Sequence, residues 1–191
     1  KTLLLNADVF ADNLAFNEFT QEPEVINDFY LNGTLIPKGS IKPSFEDILS
    51  EYFETELDVV FKPAAITGAL NIFWDTKKYN PVKDYMEQAL KAWDGKERLK
   101  TVFNYWLGAD VNETTETIAK VFFTSAVAKV YEPLTKVDTV LDLVGGQGVG
   151  KTSFLSKIAR GWYTSNAVSF TDKDSYNVML KALIVNDDEM T

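Results

Sequence analysis

Residues 138–159 read DTVLDLVGGQGVGKTSFLSKIA, in which an apolar run passes through a glycine-rich turn into a helical pattern. Within it, Gly145, Gly150, Lys151 and Thr152 have the G-x-x-x-x-G-K-[ST] spacing of a phosphate-binding loop. Glycines let the backbone turn its N–H groups around an anion, and the positive end of the next helix points at the same place. The pattern therefore predicts a nucleotide-binding loop, and the competing interpretation is an ordinary glycine-rich turn with a lysine beside it.

The side chains of the loop have separate predicted roles. Lys151 is long enough to reach the β- and γ-phosphates, and the Thr152 hydroxyl can coordinate Mg²⁺. ATP and Mg²⁺ are thus the predicted cofactors, and Lys151 is a predicted catalytic residue. The predicted cofactor-binding residues are Gly145, Gly146, Gln147, Gly148, Val149, Gly150, Lys151, Thr152 and Ser153.

A second apolar run, ALIVNDDE at 182–189, ends in acids. We predict that Asp188 binds Mg²⁺ and that Glu189 is a catalytic residue that polarises the attacking water. Asp187 competes with Asp188 for the metal role. An acidic turn after an ordinary strand is the alternative interpretation.

Three parts are predicted along the chain, over 1–75, 76–136 and 137–191. The first is an acidic α+β head, with short strands joined by turns and a helix over 43–57 that Ser44 and Asp47 cap. The second is a compact bundle of helices at 80–95, 96–108 and 112–131, the last capped by Asn112. The first of these helices has one apolar stripe, formed by Val82, Tyr85, Met86, Ala89, Leu90 and Trp93. In the third, strands at 138–144, 167–170 and 182–185 alternate with helices at 151–161 and 173–181, which is typical of a parallel α/β sheet.

Composition excludes several kinds of site. The chain has 191 residues, a net charge of −9 and neither cysteine nor histidine, which excludes disulfides, zinc sites of the usual kind and histidine acid–base catalysis. No apolar run reaches the length of a membrane span, and no leader opens the chain, so we expect a cytoplasmic protein without a membrane partner.

Charge is unevenly distributed along the chain. Residues 1–65 hold four lysines and twelve carboxylates, so this part is not expected to contact DNA. Residues 77–100 hold seven basic and four acidic residues with interleaved aromatic side chains, which is typical either of a single-strand DNA surface or of a solvated helix face over buried aromatics.

The blocks NPVKDYMEQALKAWDGKERLKTVFNYWLGAD, IAKVFFTSAVAKVYEP and VLDLVGGQGVGKTSFLSKIARGWYTS resemble the virulence-associated E family of phages and mobile elements. The resemblance covers roughly residues 66–191 and includes the Trp93-Asp94-Gly95 turn with Arg98. It implies a P-loop ATPase similar to superfamily 3 helicases, with an ASCE or AAA+-like core. By resemblance, the phosphates and magnesium would be held by Gly145, Gly150, Lys151 and Thr152, with Asp188 and Glu189 opposite.

The chain starts at Lys1 and ends at Thr191, just past the acids. We therefore expect a piece of an ATP-dependent DNA helicase or primase–helicase with a truncated P-loop sheet. The whole protein would bind DNA and form a homo-oligomer such as a hexamer, while this chain would be a monomer. Hydrolysis by it alone should be weak, because the arginine finger of such ATPases is missing. The alternatives are a non-enzymatic oligomerisation or partner-docking module, and a P-loop kinase, which the late position of the loop disfavours.

Overall fold

The computed structural model describes residues 2–165 and 173–187, together with the side chains of all of these except residues 2, 3, 173 and 174. The chain divides into two compact units, Lys1–Pro81 and Val82–Thr191, which we call the N-terminal and C-terminal units. About half of the chain is helical, and the strands of the described residues form three small sheets, so the fold class is α+β. The predicted three-part division of the chain stays a prediction.

Short strands joined by turns lie between residues 14 and 40, as predicted, whereas the segment before them is helical. The strands of the N-terminal unit are Leu14–Asn17 (β1), Glu22–Val25 (β2), Phe29–Leu31 (β3), Thr34–Ile36 (β4), Gly39–Ser40 (β5) and Lys78–Tyr79 (β6). A four-stranded sheet has the order β5-β2-β1-β6, in which β1 runs antiparallel to β2 and parallel to β6. The strands β3 and β4 form a separate hairpin whose turn holds Asn32 and Gly33 at φ values of 48° and 74°. Positive φ at both central positions is the geometry of a type I′ turn.

Four helices complete the N-terminal unit: Thr2–Asn6 (α1), Asp8–Ala11 (α2), Phe45–Leu57 (α3) and Pro63–Thr76 (α4). Helix α3 packs against α4 and β3, and α4 packs against α1 and β1. Phe10, Leu14, Leu49 and Phe73 lie at the centre of this core, each at most 1% exposed. The unit therefore has an apolar core of its own.

The C-terminal unit contains a second, smaller core. Its elements are Pro81–Lys91 (α5, which begins at the last residue of the N-terminal unit), a 3-10 turn at Leu99–Thr101, Val102–Leu107 (α6), Glu113–Tyr131 (α7), Lys151–Ala159 (α8), Tyr163–Thr164 (β7), Lys173–Leu180 (α9) and Ile184–Val185 (β8). Strands β7 and β8 are parallel. Phe103 of α6, Ala119 of α7, and Phe154 and Leu155 of α8 form the buried centre, so the helix that follows the glycine loop is part of this core.

The predicted strand at 138–144 is wrong: this segment pairs with no strand in the described part of the chain. Leu141 and Leu143 pack against the second core, while Val140 and Val144 are 78% and 90% exposed. The alternation of a strand is present, but a strand also needs a hydrogen-bonded neighbour. The structure therefore does not confirm the predicted P-loop sheet, since only the two-residue pair of β7 and β8 is parallel there.

Three further predictions of local structure need correction, and one cannot be compared. Ser44 makes no capping bond among the described residues, because its backbone is already helical. The predicted apolar stripe of α5 is largely uncovered, since Val82 is its buried residue and Leu90 is 69% exposed. Helix α8 ends at Ala159, and its C-terminal cap is Arg160, at a φ of 55°, rather than Gly161. The predicted strand at 167–170 lies outside the described residues.

Candidate nucleotide-binding site

The glycine loop leads directly into helix α8. Gly148 and Gly150 adopt φ values of 83° and 91°, which other residues rarely adopt, so the pattern places glycine where the backbone requires it. Helix α8 begins at Lys151, and its N-cap residue, Gly150, has no side chain with which to cap it. An uncapped helix start behind a glycine turn is a ready anion site, because its N–H groups and the positive end of the helix dipole face the same point.

Lys151 closes the loop in this structure. Its ammonium donates to the carbonyl oxygen of Gly145 at 2.6 Å and to that of Gly146 at 3.2 Å. The positive charge of Lys151 thus lies beside the first two residues of the glycine loop. An incoming phosphate can replace the two carbonyl oxygens as the partner of this ammonium, as charge-assisted bonds are stronger than neutral ones.

The loop is open to solvent. The five residues from Gly145 to Val149 are exposed, as are Thr152 and Ser153, while Gly150 and Lys151 are half-buried. Phe154 and Leu155 of the same helix are buried in the core. The buried face of α8 therefore anchors the helix, and its first turn with the loop is presented to the solvent.

The second predicted half of the site follows β8. Helix α8 packs against both β7 and β8, so the loop and the end of β8 belong to one small unit. Asp187 is half-buried and lies two residues after the strand. Asp188 and Glu189, the predicted metal and catalytic carboxylates, lie outside the described residues.

The residues present fit a magnesium nucleotide. Among the described residues there is no group of three or more His, Cys, Asp or Glu side chains that could hold a metal by themselves. Mg²⁺ does not need such a cage, because it keeps several waters and is held by one or two carboxylates and the phosphates of a substrate. The hydroxyl of Thr152 at the start of α8 and the carboxylates after β8 are donors of the right kind. What a bound Mg²⁺ would supply is neutralisation of phosphate charge.

Comparison with known proteins identifies the family. The family model of the virulence-associated protein E-like domain matches residues 86–191, more than half of the chain. The chain belongs to this family. No curated protein matches it.

The match of the virulence-associated protein E-like domain begins inside α5 and contains the Trp93 turn, α6, α7 and the glycine loop. It falls entirely within the C-terminal unit. The P-loop pattern and the acids after β8 thus lie inside the matched domain, and the N-terminal unit lies outside it.

A rigid turn stands near the start of this domain, at residues 93–98. Arg98 forms two bonds of 2.7 Å with the carboxylate of Asp94, and Asp94 also accepts the N–H of Lys96 at 3.1 Å. The indole N–H of Trp93 donates to the carbonyl of Lys96 at 3.0 Å. The bonds from Arg98 and Lys96 lower the pKa of Asp94 from 3.8 to about 2. Arg98 is therefore a structural residue of this turn.

The second arginine of the domain is also engaged. The guanidinium of Arg160 lies 4.9 Å from the centre of the Tyr85 ring, and that ring lies 6.1 Å from Trp162. Arg160 has a φ of 55° and a ψ of −124°, a strained combination for a residue with a side chain. Sequence reasoning identified neither this stack nor the strain, because both depend on residues far apart along the chain.

In the segment at 77–100, which the sequence offers as a single-strand DNA surface, several of the basic side chains are paired with carboxylates. Lys78 pairs with Asp75, Arg98 with Asp94, and Lys100 with Glu97 and Glu116. Cations that already face carboxylates attract a phosphate backbone less strongly, so these contacts favour the interpretation of this segment as a solvated face. No helix of the described residues is both long and apolar enough to cross a membrane.

Proposed function

We propose that this chain binds ATP with Mg²⁺ through residues 145–153 and works as the nucleotide-binding part of an ATP-dependent DNA helicase or replication ATPase of a phage or mobile genetic element. The observation that carries the proposal is the backbone of the loop: Gly148 and Gly150 have φ values of 83° and 91° immediately before an uncapped helix whose first residue is Lys151. Membership of the virulence-associated E family supports the replication role.

In the proposed reaction, the loop amides and Lys151 bind the phosphates, and Thr152 and Asp188 bind Mg²⁺. Glu189 would orient the attacking water. The residues described here bind and orient the nucleotide, while the charge of the transition state needs an additional cation.

Neither arginine of the chain is placed to supply that cation. Arg98 is engaged with Asp94, and Arg160 lies over Tyr85. We therefore propose that hydrolysis needs an arginine from a neighbouring subunit, and that the chain by itself turns ATP over slowly. A finger of this kind is worth about 10³–10⁵ in turnover.

Substitution of Lys151 tests the proposal. In Lys151→Ala, we expect the affinity for a fluorescent ATP analogue with Mg²⁺ to fall at least tenfold, because a charged partner of the phosphates is lost (about 1.4 kcal/mol or more). Lys157→Ala is the matched control, since Lys157 lies on the same helix, is exposed and lies outside the loop pattern. Equal affinities of the two variants would refute the proposed site. Turnover with and without single-stranded DNA then tests the helicase role, and ATP turnover that DNA leaves unchanged would count against it.

A further inference from the structure

The guanidinium of Arg160 lies against an aromatic ring instead of a carboxylate. Its central carbon is 4.9 Å from the centre of the Tyr85 ring, which in turn lies 6.1 Å from the ring of Trp162. Asp84 is the neighbour of Tyr85 on α5, yet within the described part of the chain Arg160 forms no ion pair and no side-chain hydrogen bond. Because Arg160 is exposed, its N–H donors remain accessible to a ligand.

The backbone of Arg160 is strained for a residue that has a Cβ. Its φ of 55° and ψ of −124° suit glycine, and a glycine follows directly at position 161. The strain at such a position is larger than the stabilisation from an exposed cation–π contact. The contact with Tyr85 therefore does not account for an arginine here, and residues strained in this way are concentrated at functional sites.

The chain around Arg160 carries positive charge only. Residues 143–171 contain three cations and no carboxylate. One of these cations, Lys157, is exposed and lies on α8, three residues before Arg160. In the segment at 77–100, by contrast, several cations pair with carboxylates. The carboxyl-terminal end of α8 thus has the charge and the aromatic support that suit an anionic ligand with unpaired bases.

We propose that Arg160, supported by Tyr85 and Trp162, is a binding surface for single-stranded nucleic acid. A guanidinium plane can stack on an unpaired base, and its N–H groups can donate to the phosphate beside that base. An arginine that a carboxylate already engages would lose the second of these contacts. A base inside a duplex is already stacked on both faces, so this surface selects single strands.

This surface lies away from the glycine loop. Lys151 begins α8 and Arg160 caps its end, so the nine residues of the helix, at a rise of about 1.5 Å each, separate them by about 13 Å. The inference extends the proposed role on DNA, but it needs no nucleotide in the loop. The affinities for nucleic acid and for ATP can therefore be measured separately.

The test measures the affinity of the chain for fluorescent oligo(dT) and oligo(U) by anisotropy. In Arg160→Ala, we expect the affinity to fall about tenfold, since a stacking contact and a phosphate contact are lost, while the affinity for an ATP analogue stays within about twofold. Arg160→Gly should lose as much affinity for the oligonucleotides as Arg160→Ala, although its backbone is relaxed, which separates binding from folding.

The salt dependence separates the charge of Arg160 from its shape. Arg160→Ala should lower the slope of log affinity against log salt concentration by about 0.7, whereas Arg160→Lys keeps the charge and should keep the slope. Lys120→Ala is the matched control, because Lys120 is exposed in the same unit and its ammonium faces Glu116 at 2.9 Å. Its affinity for the oligonucleotides should stay within about twofold of that of the unsubstituted chain.

The outcomes separate this inference from the proposed function. Equal affinities of Arg160→Gly and the unsubstituted chain overturn the inference, as does a duplex that binds as tightly as a single strand. Binding of either oligonucleotide that Arg160→Gly weakens supports it, and the tighter oligonucleotide identifies the strand as DNA or RNA. If the ATP analogue binds and neither oligonucleotide does, the inference is overturned and the nucleotide site stands. If Arg160→Gly weakens oligonucleotide binding and no ATP analogue binds, the surface stands and the nucleotide site is overturned.

Discussion

Alanine at Gly150 tests the backbone on which the candidate site depends. At a φ of 91° a residue with a Cβ is strained, at about 1–2 kcal/mol. The space is open, because a Cβ at Gly150 meets no described atom within 4 Å, so the cost is conformational rather than steric. Replacement of glycine by alanine also stiffens the unfolded chain, which stabilises the folded protein by about 0.4–1 kcal/mol. We therefore expect Gly150→Ala to destabilise the protein by about 0.8 kcal/mol, and by no more than about 1.6 kcal/mol, the difference of these two contributions.

Gly146→Ala is the matched control in the same loop. Gly146 has no left-handed φ, and a Cβ there also meets no described atom within 4 Å. Since the effect on the unfolded chain is common to both variants, their difference isolates the strain, about 1–2 kcal/mol. Urea unfolding followed by circular dichroism measures both free energies of unfolding. Equal stabilities would show that the loop relaxes freely around position 150, and the argument for a preformed phosphate turn would then be wrong.

Three other predictions concern the cap, the strained residue and the acidic turn of the C-terminal unit. Asn112→Ala should lower the free energy of unfolding by about 1 kcal/mol and Asn112→Gly by only a few tenths, because the side chain of Asn112 accepts a hydrogen bond of 3.0 Å from the backbone N–H of Thr115 in the first turn of α7. Equal losses of the two variants in urea unfolding would contradict this. At position 160, where φ is 55°, the Arg160→Gly variant should be more stable than Arg160→Ala by about 1 kcal/mol, because both lack the guanidinium and only alanine keeps the backbone strain. Urea unfolding in which the alanine variant is the more stable of the two would refute this reasoning. The stability that the Asp94 carboxylate contributes is present above pH 4 and is lost as the pH falls through its pKa of about 2. Arg98→Met should raise the pKa of Asp94 toward 3.8, and an NMR titration of this carboxyl group that shows no rise would refute the assigned cause.

Local signals of the sequence predicted the helices of the C-terminal unit well. The helix from Lys151 is confirmed at Lys151–Ala159, and the short helix predicted at 173–181 at Lys173–Leu180. The cap at Asn112 is confirmed as a capping box with Thr115. These features depend on bonds between residues at most four positions apart, so the sequence contains both partners side by side.

Features that depend on distant partners could not be predicted in this way. The alternating pattern of 138–144 predicts a strand, yet the segment lacks a neighbour in the described chain. Likewise, the apolar spacing of α5 predicts a buried stripe, but helix packing leaves Leu90 and Trp93 exposed. Periodicity indicates which face would be buried, and only packing decides whether another element covers it.

The sequence by itself determined the glycine loop, the helix that begins at Lys151 and the family to which the chain belongs, because glycine conformations and helix starts follow from short-range sterics. Only the tertiary structure decided that Asn186 bonds to Tyr163 and that Arg160 lies over Tyr85. Residues 23 and 75 positions apart meet there, and no local preference of the backbone specifies such meetings; they arise when strands pair and helices pack.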